Sequence, residues 1–309
     1  MSTTQHDEAT RPGPIDAVPV RHPGRSIAIV LVSLVTIMVV VQLVTNPAFD
    51  WNFAFKAMRQ APVINGLLVG TLLVTIVSMV LGVLLGVVLA VMRMSENAIL
   101  RIVSGAYSWF FRAIPRYVLL TLLGAAGAFF PQGIGIGVPF GAHLLRLFGG
   151  SGDLYFAHLD ANRVFSSFAG AVLGMALSEA AYMAEIARSG IISVDKGQME
   201  AAQALGMSST QAMRRIILPQ AMRVIVPPTG NETIAMFKDT SLLSAIPLTA
   251  EMFFQMKQIG ANYYRFLPVV IGATIYYLII ASVLMVGQSW LEKRFGRGHA
   301  PLSYTGADH

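Results

Sequence analysis

SEAAYMAEIARSGIISVDKGQMEAAQALGMSSTQAMRRIILPQAMRVIVPPTGNETIAMFKDTSL, running from Ser178 to Leu242, decides how the rest of the chain is read. It lies between apolar runs long enough to cross a bilayer, yet its centre is polar and basic. The pattern predicts two short helices with a break. Asp195 is placed to cap the first, with Gln198 three residues on reaching back, and Gly206 supplies a left-handed stop. Ser208 and Gln211 repeat the capping pair for a second helix, which Pro219 is expected to close. The first helix, Lys196 to Leu205, is about 15 Å long at 1.5 Å per residue. Ala201, Ala202 and Ala204 surround Glu200, so an exposed, small-residue face is expected that lets the backbone approach another surface.

Outward from this stretch, the composition points to a membrane. The 309 residues are 55% hydrophobic and 12% charged, with a mean hydropathy of +0.63. Six spans are expected. The first is the uncharged run Ile27 to Val44, read as an uncleaved helix because Thr45-Asn46-Pro47 is not a small-residue cleavage site. Val63 to Met92 follows without a charge, with Gly66/Gly70 and Gly82/Gly86 spaced for close helix packing. Arg93 ends that span, and the third runs from about Tyr117 to Gly137, after a moderately polar linker carrying Arg101, Arg112 and Arg116. The fourth spans Val164 to Ala187, with Gly170/Gly174 on one face. The fifth spans Met222 to Ala245 and is expected to be broken by Pro227 and Pro228, which free backbone carbonyls. Phe266 to Trp290 is the sixth.

Between the spans, residues 46–63 carry Trp51, Phe53 and Phe55 and suit the water–lipid interface. Residues 138–163 read as a solvated polar loop, in which His158 and Asp160 are too few for a metal site. Residues 248–265, with Glu251, Lys257 and Arg265, read as polar surface. With an inside N-terminus, fifteen of the 22 Lys and Arg residues fall in inner segments. Six (Lys56, Arg59, Arg146, Arg163, Lys257 and Arg265) fall outside and Lys238 lies in a span, so both termini are expected in the cytoplasm. This distribution accounts for the net charge of +6 without a nucleic-acid partner.

The segment EAAQALG (Glu200 to Gly206) resembles the EAA loop of permease subunits of ABC importers. AAYMAEIARSGIISVDKGQ (Ala180 to Gln198), IILPQAMR (Ile216 to Arg223) and Lys238-Asp239-Thr240-Ser241-Leu242 resemble the polar amino acid branch, the histidine/glutamine/glutamate permeases. WFFRAIPRYVLL (Trp109 to Leu120) is similar to that family's aromatic-Arg-x-x-Pro segment, except that the family usually has an apolar residue where Arg116 stands. The resemblance covers residues 64–296 and implies an all-α membrane protein: a five-helix permease core, with one extra N-terminal helix in this chain. The implied domains are a disordered cytoplasmic tail (1–25), the extra helix and interfacial segment (26–63), the permease core with its coupling loop (64–296, loop 193–220) and a C-terminal tail (297–309).

In that family the EAA helix docks on a cytoplasmic ATPase. The resemblance therefore gives Glu200, Ala201, Ala202, Leu205 and Gly206 a coupling role. It also implies an ATPase dimer, a second permease copy, an extracytoplasmic substrate-binding protein, a polar amino acid substrate and a place among the lipids of a bacterial inner membrane. The chain itself is expected to bind no cofactor or metal and to catalyse nothing. It has no GxxxxGK[ST] loop for ATP, no GxSxG or HExxH motif, and no cysteine.

Ionisable and polar groups in the spans are the remaining candidates, because charge in a bilayer is costly and faces a partner or a cavity. Two readings are open. Lys238 and Asp239 pair with each other, or with Glu185 or Glu232, and merely satisfy the bundle. Alternatively Glu179, Asn231 and Lys238, with Tyr182, line the route of an amino acid, Glu179 meeting its ammonium and Lys238 its carboxylate. An ion-coupled secondary transporter would also use a buried Glu179 and a Pro-containing helix, but it needs no EAA helix and no inverted repeat is visible. An opine or ectoine-like solute is the alternative cargo within the ABC class.

Overall fold

A computed structural model describes residues 23–131, 133–138, 140–165, 168–246 and 248–295. The tails expected at 1–25 and 297–309 therefore lie outside the described residues, apart from Pro23 to Arg25. The chain divides into two units, Met1–Phe49 and Asp50–His309. In the first, α1 (Pro23–Thr45) is one uninterrupted helix with no buried residue. Its Val, Leu and Ile side chains stay exposed around the whole circumference, as suits a helix solvated by lipid.

The second unit is a helical bundle. After α2 (Trp51–Met58) comes α3 (Ala61–Met94), a 34-residue helix with a π-helical stretch at Gly66–Leu73. Then follow α4 (Ala98–Ala113), α5 (Arg116–Gly124), α6 (Phe168–Ile192), α7 (Lys196–Ala204), α8 (Leu218–Asp239), α9 (Met252–Asn262) and α10 (Phe266–Phe295). By length and composition α1, α3 and α10 can cross a membrane. The long helices α6 and α8 carry charges within comparable lengths.

The most extensive interface joins α3 to α6. It forms because glycine lets the backbones close. A Cβ added at Gly82 would lie 2.9 Å from the Glu179 side chain, and one at Gly86 would lie 2.5 Å from Met183 Cβ. Between apolar helices in lipid, such close packing replaces the hydrophobic drive available in water. Gly66 and Gly70 serve the same end of α3 against the backbone around Glu251 and Met252. One core gathers Val74, Leu120, Met175, Met236 and Ile246, and a second gathers Met58, Val63, Met252, Met256 and Val269.

The structure departs from the sequence pattern in several places. The polar linker before the third span is the amphipathic helix α4, which packs on α3 and α6. The third crossing is not one helix from Tyr117 to Gly137. After α4 and a break at Ile114–Pro115, this stretch holds α5 and a last turn at Ala126–Phe129, and Ile134–Gly137 is a strand. Pro115 has no N–H to continue the ladder and disfavours helical geometry at Ile114, whose ψ is 127°.

The loop 138–163 is largely structured. Strands β1 (Ile134–Gly137) and β2 (Tyr155–Leu159) pair antiparallel around a short helix at Gly141–Leu147. Phe148 and Phe156 there are well exposed, so the surface is less polar than the composition suggested.

Residues 248–265 are polar surface only in part: Asn262 to Arg265 are exposed, but Glu251 is not. Glu251 is fully buried, caps α9 by accepting from Phe254 N at 2.8 Å, and accepts 3.1 Å hydrogen bonds from Thr71 Oγ1 and Tyr277 Oη.

Prolines prove less disruptive than expected. Pro227 and Pro228 lie inside a continuous α8. Thr229 Oγ1 donates to Ile225 O at 2.8 Å within the same turn. Pro219 closes no helix, because the π-helical stretch Met213–Ile217 leads straight into α8. The wider turn carries the preceding carbonyls past a ring that an α-helical turn would clash with.

Candidate functional site

Two places carry chemistry that packing alone does not require. The first is the turn after α6. Asp195 Oδ1 accepts from Gly197 N at 2.6 Å and starts α7. Gly206 adopts φ +81°, Met207 N donates to Ala202 O at 3.1 Å and Gly206 N donates to Gln203 O at 2.9 Å. These are the two bonds of a Schellman stop, which needs a residue free to enter the left-handed region. Ser208 and Gln211 then form a reciprocal capping box, Ser208 N to Gln211 Oε1 at 3.0 Å and Gln211 N to Ser208 Oγ at 3.3 Å. Gln198 is used differently from expectation: it accepts from Gln220 Nε2 at 3.2 Å and ties α7 to α8.

The turn is therefore a short, rigidly bounded helix. Glu200 and Ala201 face outward and Leu205 is 82% exposed. Ala202 is the exception. It is buried, on a helix that packs against Ser209–Ile217, so it supports the turn and is not part of an exposed face. The outward surface is offered by Glu200, Ala201, Ala204 and Leu205.

The second place is an ion cluster within the bundle. Glu179 on α6 is fully buried. Arg116, the first residue of α5, reaches it with Nη2 at 3.0 Å. The same guanidinium holds Asp239 Oδ2 with Nη1 at 2.7 Å and donates from Nε to Ser178 Oγ at 3.3 Å. Removing one member of such a buried pair typically costs about 3–5 kcal/mol, because the other charge is left uncompensated. Tyr182 lies one turn below Glu179, with the guanidinium carbons of Arg112 and Arg116 at 5.7 and 5.8 Å from its ring centre.

The structure thus joins Glu179 and Tyr182 through Arg116. Among the described residues no hydrogen bond or ion pair links Asn231 or Lys238 to this cluster. Asn231 accepts from Gln288 on α10 at 2.9 Å, and Lys238 is exposed. The pairing considered for Asp239 and Lys238 is replaced: Asp239 goes to Arg116, while Glu185 pairs with Arg188 at 2.8 Å. Arg116 is the member to which sequence reasoning gives no role, and Asp239 enters that reasoning only in the bundle-satisfying pairing. The available signal was an arginine in the otherwise apolar opening of a span.

The capped turn at Lys196–Gly206 is the segment that resembles the EAA loop of ABC importer permeases. Residues 82–297 match the family described as the binding-protein-dependent transport system inner membrane component, and the chain belongs to it. Over 289 residues it is 42% identical to the arginine transport system permease protein ArgU of Corynebacterium glutamicum, covering 93% of this chain and 85% of that one. It is 34% identical over 206 residues to the probable amino-acid ABC transporter permease protein YckA of Bacillus subtilis, covering 67% and 77% of the two chains. The crystal structure of an amino acid ABC transporter with histidines superposes with a TM-score of 0.59 at 31% identity, over 79% of this chain and 98% of the other. The chain is therefore a membrane-embedded ABC permease.

Proposed function

We propose that this chain, paired with a second permease copy, forms the translocation pathway of an ATP-driven importer for polar amino acids. The observation that carries this reading is the α7 turn, a short helix held at both ends by caps with Glu200, Ala201 and Leu205 turned outward. Such a helix is suited to being gripped by a neighbour. Gly206 fixes where it stops, and Ala202 fixes how it sits. A separate cytoplasmic ATPase dimer takes hold of it and supplies the energy of hydrolysis, while a binding protein delivers the solute on the outer face.

The distribution of Lys and Arg supports a bacterial inner-membrane protein with both termini in the cytoplasm. Glu179 and Tyr182 lie on the solute's route through the bundle, with Asn231 and Lys238 on a separate, more exposed face of α8. The likeness to a permease named for arginine transport favours a basic member among the polar amino acids.

The test is uptake by proteoliposomes containing this chain, its ATPase and its binding protein. Accumulation of amino acid that requires enclosed ATP supports the reading, and accumulation that follows an imposed H⁺ or Na⁺ gradient without ATP refutes it. Glu179→Gln is expected to impair uptake while the ATPase still co-purifies. Unchanged uptake removes Glu179 from the route.

A further inference from the structure

Arg116 holds its partners in an unequal way. Glu179 is fixed: it lies on a continuous helix, its side chain packs into the space left by Gly82, and it has no access to solvent. The guanidinium is attached at a joint, directly after the Ile114–Pro115 break. Asp239 is also at a joint, where α8 gives way to the 3₁₀ turn Thr240–Ala245, and its side chain is 38% exposed. A rigid acid is thus faced by a basic group and a second acid that both sit at hinges, and the cluster is uncovered on the Asp239 side.

The charges do not balance. Two carboxylates, Glu179 and Asp239, share the single guanidinium of Arg116. Arg112 reaches the ring of Tyr182 but forms no ion pair among the described residues. All three guanidinium nitrogens of Arg116 are engaged, yet Glu179 Oε1 is buried with no hydrogen-bond partner. The site therefore has acceptor capacity for a further cationic donor group.

We propose that Arg116 is a resident cation occupying the seat of a cationic solute, and that the side chain of that solute displaces it from Glu179 and Asp239 during passage. The inference rests on the transport reading above and adds a selectivity residue to it. An exchange of cation for cation keeps the buried carboxylate paired throughout, which an uncharged side chain entering the seat cannot do. Arg116 then sets selectivity by competition at the side-chain seat: an uncharged side chain leaves it in place, whereas a side-chain guanidinium or ammonium replaces it.

The test is equilibrium binding of L-arginine, L-lysine and L-glutamine to the purified complex of this permease with its ATPase, without the binding protein. Wild type, Arg116→Lys and Arg116→Gln are compared, with Arg116→Gln/Glu179→Gln as a control. A seat filled by Arg116 nine-tenths of the time or more weakens apparent affinity about tenfold or more. Arg116→Gln is thus expected to bind L-arginine and L-lysine at least about tenfold tighter. Arg116→Lys, which keeps the charge but loses the fork that spans two carboxylates and Ser178, falls between it and wild type.

The double variant loses the gain, and L-glutamine is unaffected throughout. Equal changes for L-glutamine, no rise in affinity in Arg116→Lys, or no L-arginine binding in any variant overturns the proposal. Should the expected order hold in binding while ATP-driven uptake is absent, the transport reading fails and the cation seat stands.

Discussion

Replacing Gly206 isolates the stop of the α7 helix from the rest of the bundle. Its φ of +81° lies where a side chain meets its own backbone, and there is open space around it, so the effect is conformational and involves no neighbour. Occupying the left-handed region costs an ordinary L-residue about 1–2 kcal/mol. A β-branched residue is worse placed still, and the two Schellman bonds, worth about 0.5–1.5 kcal/mol each, are put at risk as the turn relaxes. For Gly206→Val the combined penalty is about 2–5 kcal/mol. At 1.4 kcal/mol per tenfold, the properly terminated helix becomes some 30-fold or more less populated relative to frayed alternatives. Gly206→Asn, which tolerates this region, should stay near wild type, with Gly206→Ala between them. The assay is ATP-driven uptake in proteoliposomes, alongside the basal ATPase rate and the thermal midpoint of the purified complex. Uptake per ATP hydrolysed should fall in the order Asn, Ala, Val while the midpoint barely moves, since the spans are untouched. Equal uptake for Val and wild type, or an Asn variant as impaired as Val, refutes the reasoning.

Other predictions concern the packing that holds the site. Gly86→Leu places a Cβ 2.5 Å from Met183 Cβ and forces α3 away from α6; overpacking of this kind costs about 1–3 kcal/mol or more, visible as a lowered thermal midpoint in detergent. Ala202→Leu introduces bulk at a buried position, so it should loosen the α7 turn. Faster amide exchange across Lys196–Ala204 in the isolated permease is expected, and unchanged exchange would return Ala202 to the outer face. Tyr277→Phe removes one of the donors to buried Glu251 and should cost about 1–3 kcal/mol, read as a drop in thermal midpoint that Thr71→Val reproduces in part. No drop for either would mean that Glu251 is held by its contact with Phe254 N alone.

How much of this was legible in the chain depends on the range of the interaction involved. The capping box at Ser208 and Gln211 and the stop at Gly206 are local, set by residues three or four apart, and both appear where the residue types predict. The long apolar helices are likewise legible, because a lipid-facing helix needs little beyond length and hydropathy. The break in this region is not legible because Tyr117 to Gly137 is apolar enough for one helix. The break is set by Ile114–Pro115, and the helical character before it comes from the amphipathic face of α4, whose apolar and polar residues together average out as moderately polar. Glu251 was misplaced for a related reason: a carboxylate between two polar stretches reads as surface, and only the arrival of Thr71 and Tyr277 from distant helices makes its burial tolerable.

The ion cluster shows the same limit at the site itself. Glu179 and Asp239 are each conspicuous as acids in spans, and Lys238 is adjacent to Asp239 in the chain, so a neighbouring pair is the natural expectation. On a helix, however, successive residues point about 100° apart, and Lys238 and Asp239 cannot share a face. Asp239 therefore takes its cation from a different helix, 123 positions away in sequence, and Lys238 is left exposed. Arg116, which stood out only as an odd charge at the mouth of a span, is the group that joins the two acids. A departure from an apolar pattern at a helix opening is thus better evidence of a distant partner than proximity along the chain. The partner to look for first is an acid that the other spans have left buried and alone.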